Sequence, residues 1–300
     1  MKQKKKLSTG LFVLLMLLPS MFFLCVFTIY PLTRGVVMAF QNYNLFNLSD
    51  VHFVGLENFK ELFDPSPLNN FPQIIKNTIK WVVVSVFFQL MLGMTLALLL
   101  RKPFKGQVIY RGIVFFPWAI SGFIIGIMWR WMFNGTSGVI NDLFLKIGFI
   151  KQPIGWLSDP SMAMNSVIVA NIWYGIPFFT IMITAAMAGI SEDMYEAAEV
   201  DGGGALVKFW YITLPEIKPV LLLTVLLRVI WVFNFPELVY SMTDGGPGDS
   251  THIITSYMMN KIMSLDYGMG SAIGVVVILV LSVFASIYLW LTERGEEGND

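Results

Sequence analysis

The sequence predicts an all-α polytopic membrane protein, and three observations lead to that expectation. Of 300 residues 56% are hydrophobic and 13% charged, about half the charge of a soluble domain of this size. The apolar residues gather into six stretches, each near the ~20 residues a helix needs to cross ~30 Å of hydrocarbon. Much of the Lys and Arg content sits beside two connections that fall on the same side.

The six spans are expected at 11–31, 77–100, 112–133, 162–188, 219–240 and 270–291, the fifth being ragged beyond Phe235. Pro19 and Pro177 fall inside spans, which is tolerable where neighbouring helices satisfy the freed carbonyls. Lys2, Lys4, Lys5 and Lys6 precede the first stretch. That start imitates a signal peptide, but the apolar run is too long for one and no small-residue cleavage site follows. It reads as an uncleaved first span.

Orientation follows from the basic residues. The loop after the second span carries Arg101, Lys102, Lys105 and Arg111 and no acid. It and the N-terminal tail are expected in the cytoplasm, which puts both termini inside. The longer connections 33–76, 134–161 and 236–269 then fall outside. Within them, 54–59 reads as a turn into a short helix ending near Pro65, and Asp244-Gly245-Gly246-Pro247-Gly248 as a tight turn. Trp129, Trp131, Trp156 and Trp290 are expected as an interfacial aromatic belt.

Several function classes are excluded at this level. Lys plus Arg equals Asp plus Glu at 20 each, so no net charge points to nucleic acid. Two histidines and one cysteine build neither a Cys/His metal cluster nor a disulfide framework. His52 and His252 read as ordinary loop residues and Cys25 as a buried thiol. No metal site and no catalytic residue is expected. The chain has no G-x-x-x-x-G-K-[ST] phosphate loop, so any nucleotide chemistry belongs to another subunit.

The fourth connection faces the cytoplasm yet is acidic, with Glu192, Asp193, Glu196, Glu199 and Asp201 against Lys208. Ser191 is a plausible N-cap, and the two acids after it suit the positive end of a helix. The helix is expected to stop at Gly202-Gly203-Gly204, where the backbone can reverse. A second short helix over 205–211 then leads to a Leu214-Pro215 stop. The product is a helix–turn–helix at the membrane surface.

Glu196-Ala197-Ala198, then Asp201-Gly202, then Ile212-x-Leu214-Pro215, resembles the EAA loop of binding-protein-dependent ABC importer permeases. The resemblance implies a type I ABC importer permease fold and makes 190–215 a coupling loop seated on an ATP-binding subunit. It also implies a second homologous permease, two ATP-binding cassette subunits holding ATP and Mg, and an extracytoplasmic solute-binding protein, with no cofactor bound by this chain. The bacterial cytoplasmic (inner) membrane, with its lipid, is the implied location. A secondary carrier is the rival reading; it would want acids or histidines at mid-membrane, and the spans hold almost none.

Phe53-Val54-Gly55-Leu56-Glu57-Asn58-Phe59, Phe116-Pro117-Trp118 and Thr243-x-Gly245-Gly246-Pro247 are similar to the carbohydrate branch, the last to maltose-type first permeases. Two helix faces suit a sugar, which wants aromatic faces and planar hydrogen-bonders. Asn171, Tyr174, Gly175 and Phe178 share one face of the fourth span, in a segment resembling the maltose-permease cavity lining. Arg228, Trp231, Val232 and Phe235 have the same spacing in the fifth. The same residues also suit plain helix packing. Arg228 reads as a partner for an acidic sugar, a donor to neutral hydroxyls, or an ion pair with Glu237 or another subunit's acid. Arg130 is expected to snorkel at the outer interface. A polyol derivative such as glycerol phosphate is the alternative cargo.

Overall fold

A computed structural model describes residues 9–66, 70–101 and 104–297. The N-terminal lysines and Lys102 lie outside the described residues. All the named secondary-structure elements are helical, and the chain divides into two compact units. One holds the residues up to Asp64 together with Asn260–Val276; the other holds Pro65–Met259 with the chain from Val277 onward.

In the first unit, the apolar helix Phe12–Met38 runs through a π turn at Cys25–Ile29. It therefore ends seven residues later than its sequence suggests, because Pro31 sits in the first turn of the Tyr30–Met38 segment, where no partner for an N–H is lost. None of the span's apolar window is buried, and Cys25 is exposed rather than buried. Sequence hydrophobicity cannot distinguish a side chain facing protein from one facing lipid. The Glu57–Leu62 helix appears where expected. Its buried Asn58 donates to the carbonyls of Ala39 and Gln41, both at 2.9 Å, and so ties the loop to the span's end.

The second unit is built on Phe71–Leu99 packed along Pro160–Met187. Gly93 permits the approach: a Cβ there would meet the Phe179 Cβ at 2.5 Å. Trp81, Ile125, Val167, Phe179 and Leu238 form the dry centre. Trp81 Nε1 donates to the Val232 carbonyl at 2.8 Å, pinning the Leu214–Phe233 helix to the same core. Tyr288, on the Tyr267–Glu297 helix, donates its hydroxyl to the Leu222 carbonyl at 2.9 Å.

Four of the helices are long and apolar enough to cross a bilayer, and two more candidates are bent pairs. The expected straight span 112–133 is Gln107–Ala119 followed by Gly122–Met132, bent by 101°. Pro117 lacks an N–H and disfavours helix before it; the chain passes through a 3-10 turn at Phe116–Ala119 and leaves it extended at Ile120. The fifth span also departs from 219–240. Helix begins at Ala205, runs to Phe233, and meets Pro236–Thr243 at 40°. Leu214-Pro215 is thus no stop: a π turn at Phe209–Thr213 hands the chain on, and Pro215 lies in the first turn of the next helix.

The tryptophans divide. Trp131 and Trp290 are exposed and Trp129 is buried. Trp129 packs on Phe133 and Trp173, and the half-buried Trp156 donates to Asn141 Oδ1 at 2.8 Å. A bent third segment turns inward what a straight one would leave at the interface. Arg130 is exposed, as its place near a helix end suggests.

Candidate functional site

Two places bring the predicted residues together. At the first, Ser191 Oγ accepts from the Asp193 N–H at 3.3 Å, starting the Glu192–Val200 helix. The helix closes in a Schellman arrangement. Gly202, at φ +81°, donates its N–H to the Glu199 carbonyl at 3.0 Å, and the Gly203 N–H reaches the Ala198 carbonyl at 2.7 Å. A Cβ on Gly203 would lie 2.7 Å from that same carbonyl oxygen, whereas Gly202 has open space around it. Glu196, Ala197 and Asp201 are exposed, Ala198 is half-buried, and Lys208 pairs with Glu199. Beyond the turn Ile212 and Leu214 are half-buried and Pro215 is exposed. Val200, Leu206 and Tyr211 stand 88%, 75% and 78% exposed, an apolar surface beside the acids.

The second place is a pocket of about 220 Å³ lined by Trp118, Tyr174, Arg228, Trp231, Val232, Asn234 and Phe235. Tyr174 and Phe235 stack with centroids 5.1 Å apart and planes 5° from parallel. Phe178 lies behind this surface, 6.0 Å from Trp118 and 5.1 Å from Trp231. Arg228 is 3% exposed; its Nε donates to Gln89 Oε1 at 2.7 Å, and its guanidinium carbon lies 5.6 Å from the Phe178 ring centre. No carboxylate is within ion-pair distance of Arg228 among the described residues, so the Glu237 pairing is not formed.

The predicted residues do not all face the cavity. Tyr174, Arg228, Trp231, Val232 and Phe235 line it, while Asn171, Gly175 and Phe178 are buried behind it. Gly175 is needed there because a Cβ would come within 2.3 Å of both the Gln89 amide and Arg228 Nη2. Gln89 Nε2 in turn donates to the Asn171 carbonyl at 2.8 Å, while the Asn171 side-chain amide has no hydrogen-bond partner among the described residues. Gln89, Trp118 and Asn234 were missed as site residues. Gln89 had a readable signal, an amide near the middle of a largely apolar helix; Trp118 reaches the pocket where the chain bends at Pro117.

The Gly245–His252 loop is the third organised feature. The His252 ring covers Gly245, whose missing side chain leaves the space. Its Nδ1 is 3.0 Å from Ser256 Oγ and its Nε2 3.6 Å from Asp249 Oδ1, and Asn77 Nδ2 donates to the Asp249 and His252 carbonyls, each at 3.2 Å. His252 is thus a buried structural residue, and no group of three or more metal-ligating side chains occurs among the described residues. Burial pushes its imidazole below the ordinary 6.5, against the pull of Asp249 and Asp244. The unfolded loop therefore binds the proton more readily, and stability present above about 6.5 falls as pH drops below it. Hydrogen exchange over 244–257, corrected for intrinsic rates, should quicken from pH 7.5 to 5.5, and His252→Gln should remove that dependence.

The described elements are all helical, several are apolar enough to cross a bilayer, and they carry a capped surface helix–turn–helix and an aromatic pocket. The profile of the family described as binding-protein-dependent transport system inner membrane component matches residues 89–294. The chain is 33% identical over 284 residues to the sulfoquinovosyl glycerol transport system permease protein SmoG of Agrobacterium fabrum, covering 94% of this chain and 91% of that one. It is 32% identical over 275 residues to the trehalose/maltose transport system permease protein MalF of Thermococcus litoralis, covering 92% and 91%. Its fold matches a chain of a bacterial alginate ABC transporter, crystallised with an alginate pentasaccharide-bound periplasmic protein. That match has a TM-score of 0.82, 24% identity and 95% coverage of both chains. The chain belongs to the family of binding-protein-dependent transport system inner membrane components, the non-catalytic permeases of ABC importers.

Proposed function

We propose that this chain forms half of the translocation path of an ATP-driven carbohydrate importer in the bacterial cytoplasmic membrane. It crosses six times, counting each bent pair as one span, with both termini in the cytoplasm, as a single permease domain. A second, similar permease completes the path, two ATP-binding cassette subunits hold ATP and Mg beneath it, and an extracytoplasmic binding protein delivers the solute. Glu196, Ala197, Ala198, Asp201, Gly202, Ile212, Leu214 and Pro215 make the coupling element. The exposed acids and apolar residues around the Schellman turn offer the ATPase both charge and contact area.

The pocket is the observation that supports a sugar. Its aromatic faces, Trp118, Tyr174, Trp231 and Phe235, suit the C–H face of a pyranose, and Arg228 offers donors to its oxygens. The named sugar solutes of SmoG and MalF agree with that chemistry. Tyr174, Arg228, Trp231, Val232 and Phe235 line the path, with Asn171, Gly175 and Phe178 as their backing. A second reading, an anionic polyol derivative such as glycerol phosphate, is favoured by the lack, among the described residues, of a carboxylate within ion-pair distance of Arg228.

The test is uptake into proteoliposomes holding the complete complex, with the binding protein and labelled solutes outside. Saturable, ATP-dependent uptake of a mono- or oligosaccharide is expected, reduced in Trp231→Ala. Uptake confined to phosphorylated polyols would select the second reading; uptake driven by an ion gradient without ATP would overturn both.

A further inference from the structure

Tyr195 immediately precedes Glu196-Ala197-Ala198 and is the residue of its helix that the fold buries. One face of its ring carries Arg101, whose guanidinium carbon lies 3.7 Å from the ring centre, a close cation–π contact. Its hydroxyl is 2.9 Å from Thr213 Oγ1. The Thr213 hydroxyl points to the Lys208 carbonyl at 3.3 Å, which makes Tyr195 the donor to Thr213. Thr213 closes the Phe209–Thr213 π turn and is itself buried; π turns interrupt helices at places that often carry function.

Arg101 is also held. It stands two residues beyond the Phe71–Leu99 helix, and the Leu100 carbonyl beside it accepts from Gln107 Nε2 at 2.6 Å and Arg111 Nη2 at 3.4 Å. The side chains that bracket Tyr195 therefore belong to the ends of two helices, Phe71–Leu99 and Leu214–Phe233. Those same helices carry Gln89 and Arg228, the hydrogen-bonded pair beside the pocket.

Building on the coupling reading above, we infer that Arg101, Tyr195 and Thr213 form a strut that carries movement of the coupling helix to both pocket helices at once. The covalent route onward from that helix passes through Gly202-Gly203-Gly204, a segment with wide backbone freedom. A pull along it is absorbed by the glycines unless side chains bridge them; the Glu199–Lys208 pair, whose carboxylate faces solvent, is a weak bridge, and the buried Tyr195–Thr213 bond is the firmer one. Tyr195 spans the turn through its hydroxyl and reaches the second span through its ring. Tyr195 is a positioning residue: it acts through Arg101 and Thr213 and touches neither solute nor nucleotide.

The experiment measures solute imported per ATP hydrolysed by the complete complex in proteoliposomes. Arg101→Gln and Tyr195→Leu should each lower that ratio roughly fivefold to thirtyfold, the loss expected for one half-buried cation–π contact. Arg101→Lys should restore most of it, because the cation returns. Tyr195→Phe keeps the ring but loses the bond to Thr213, so it should match Thr213→Val and fall between wild type and Tyr195→Leu. The Arg101→Gln/Tyr195→Leu double variant should be no worse than the poorer single. Wild-type ratios in Arg101→Gln and Tyr195→Leu, or additive losses in the double variant, would overturn the strut. If a truncating variant fails to assemble, Arg101→Lys, Tyr195→Phe and Thr213→Val decide, and a wild-type ratio in both Tyr195→Phe and Thr213→Val overturns it. A Gly202→Val complex separates the two claims. Normal coupling there removes the coupling reading itself, whereas loss there with intact strut variants removes only the strut.

Discussion

A Gly202→Val complex is expected to lose solute-stimulated ATP hydrolysis and import. At φ +81° a residue with a Cβ costs about 1–2 kcal/mol, more when β-branched. Because nothing lies within 4 Å of a Cβ at Gly202, that cost is entirely one of backbone conformation. Relieving it means leaving the left-handed region, and the bonds from Gly202 to Glu199 and from Gly203 to Ala198 then break, at roughly 0.5–1.5 kcal/mol each. The helix frays through Ala198 and the Glu196-Ala197-Ala198 surface is no longer presented as a rigid unit. Gly202→Asn is the control, since asparagine tolerates the left-handed region, and it should keep most of the activity. Normal stimulation and import by the valine variant would remove the coupling assignment.

Arg228→Ala is expected to separate stability from transport. The substitution leaves Gln89 Oε1 without its donor, a loss of about 1–3 kcal/mol for a buried acceptor. It also removes a buried charge that pairs with a neutral amide and aromatic faces but with no carboxylate among the described residues, relieving roughly 2.5–3.5 kcal/mol on insertion scales. The two nearly cancel, so the thermal midpoint of the complex should move little. Transport has no such offset. For a solute with a carboxylate or phosphate, losing a charge-assisted contact of about 1.5–3 kcal/mol should cut import by roughly 10- to 150-fold. For a neutral sugar, losing a donor to a hydroxyl worth about 0.5–1.5 kcal/mol should cut it by roughly 2- to 13-fold. Parallel uptake assays with an acidic and a neutral sugar decide, and an equal loss for both would exclude an anionic cargo.

The local structure of the 190–215 loop was largely legible because its determinants are local. Ser191, Glu192, Asp193, Gly202 and Gly203 act on backbone within a few residues, and each appears in the role its chemistry suggests. The error there was Leu214-Pro215, read as a stop: a proline one residue past a π turn occupies a first turn, and π turns leave no trace in hydrophobic periodicity. The pocket was half legible. Helical spacing grouped Asn171, Tyr174, Gly175 and Phe178 on one face, but the structure sends Tyr174 to the cavity and packs the other three behind it. Phe235 sits past the end of its helix and still reaches the cavity, through the Asn234–Phe235 break rather than through helical spacing.

Composition and pattern alone determined the class of molecule: a membrane protein of long apolar helices with one acidic, glycine-closed surface loop. Such features depend on hydrophobicity and on backbone preferences within a turn, which every chain of this sequence shares before it folds. The tertiary structure alone decided that Trp129 turns inward and that Arg228 finds Gln89. Each of those depends on which helices lie side by side. Gln89 and Arg228 are 139 residues apart, and no local rule joins an amide and a guanidinium at that distance until two helices bury them together.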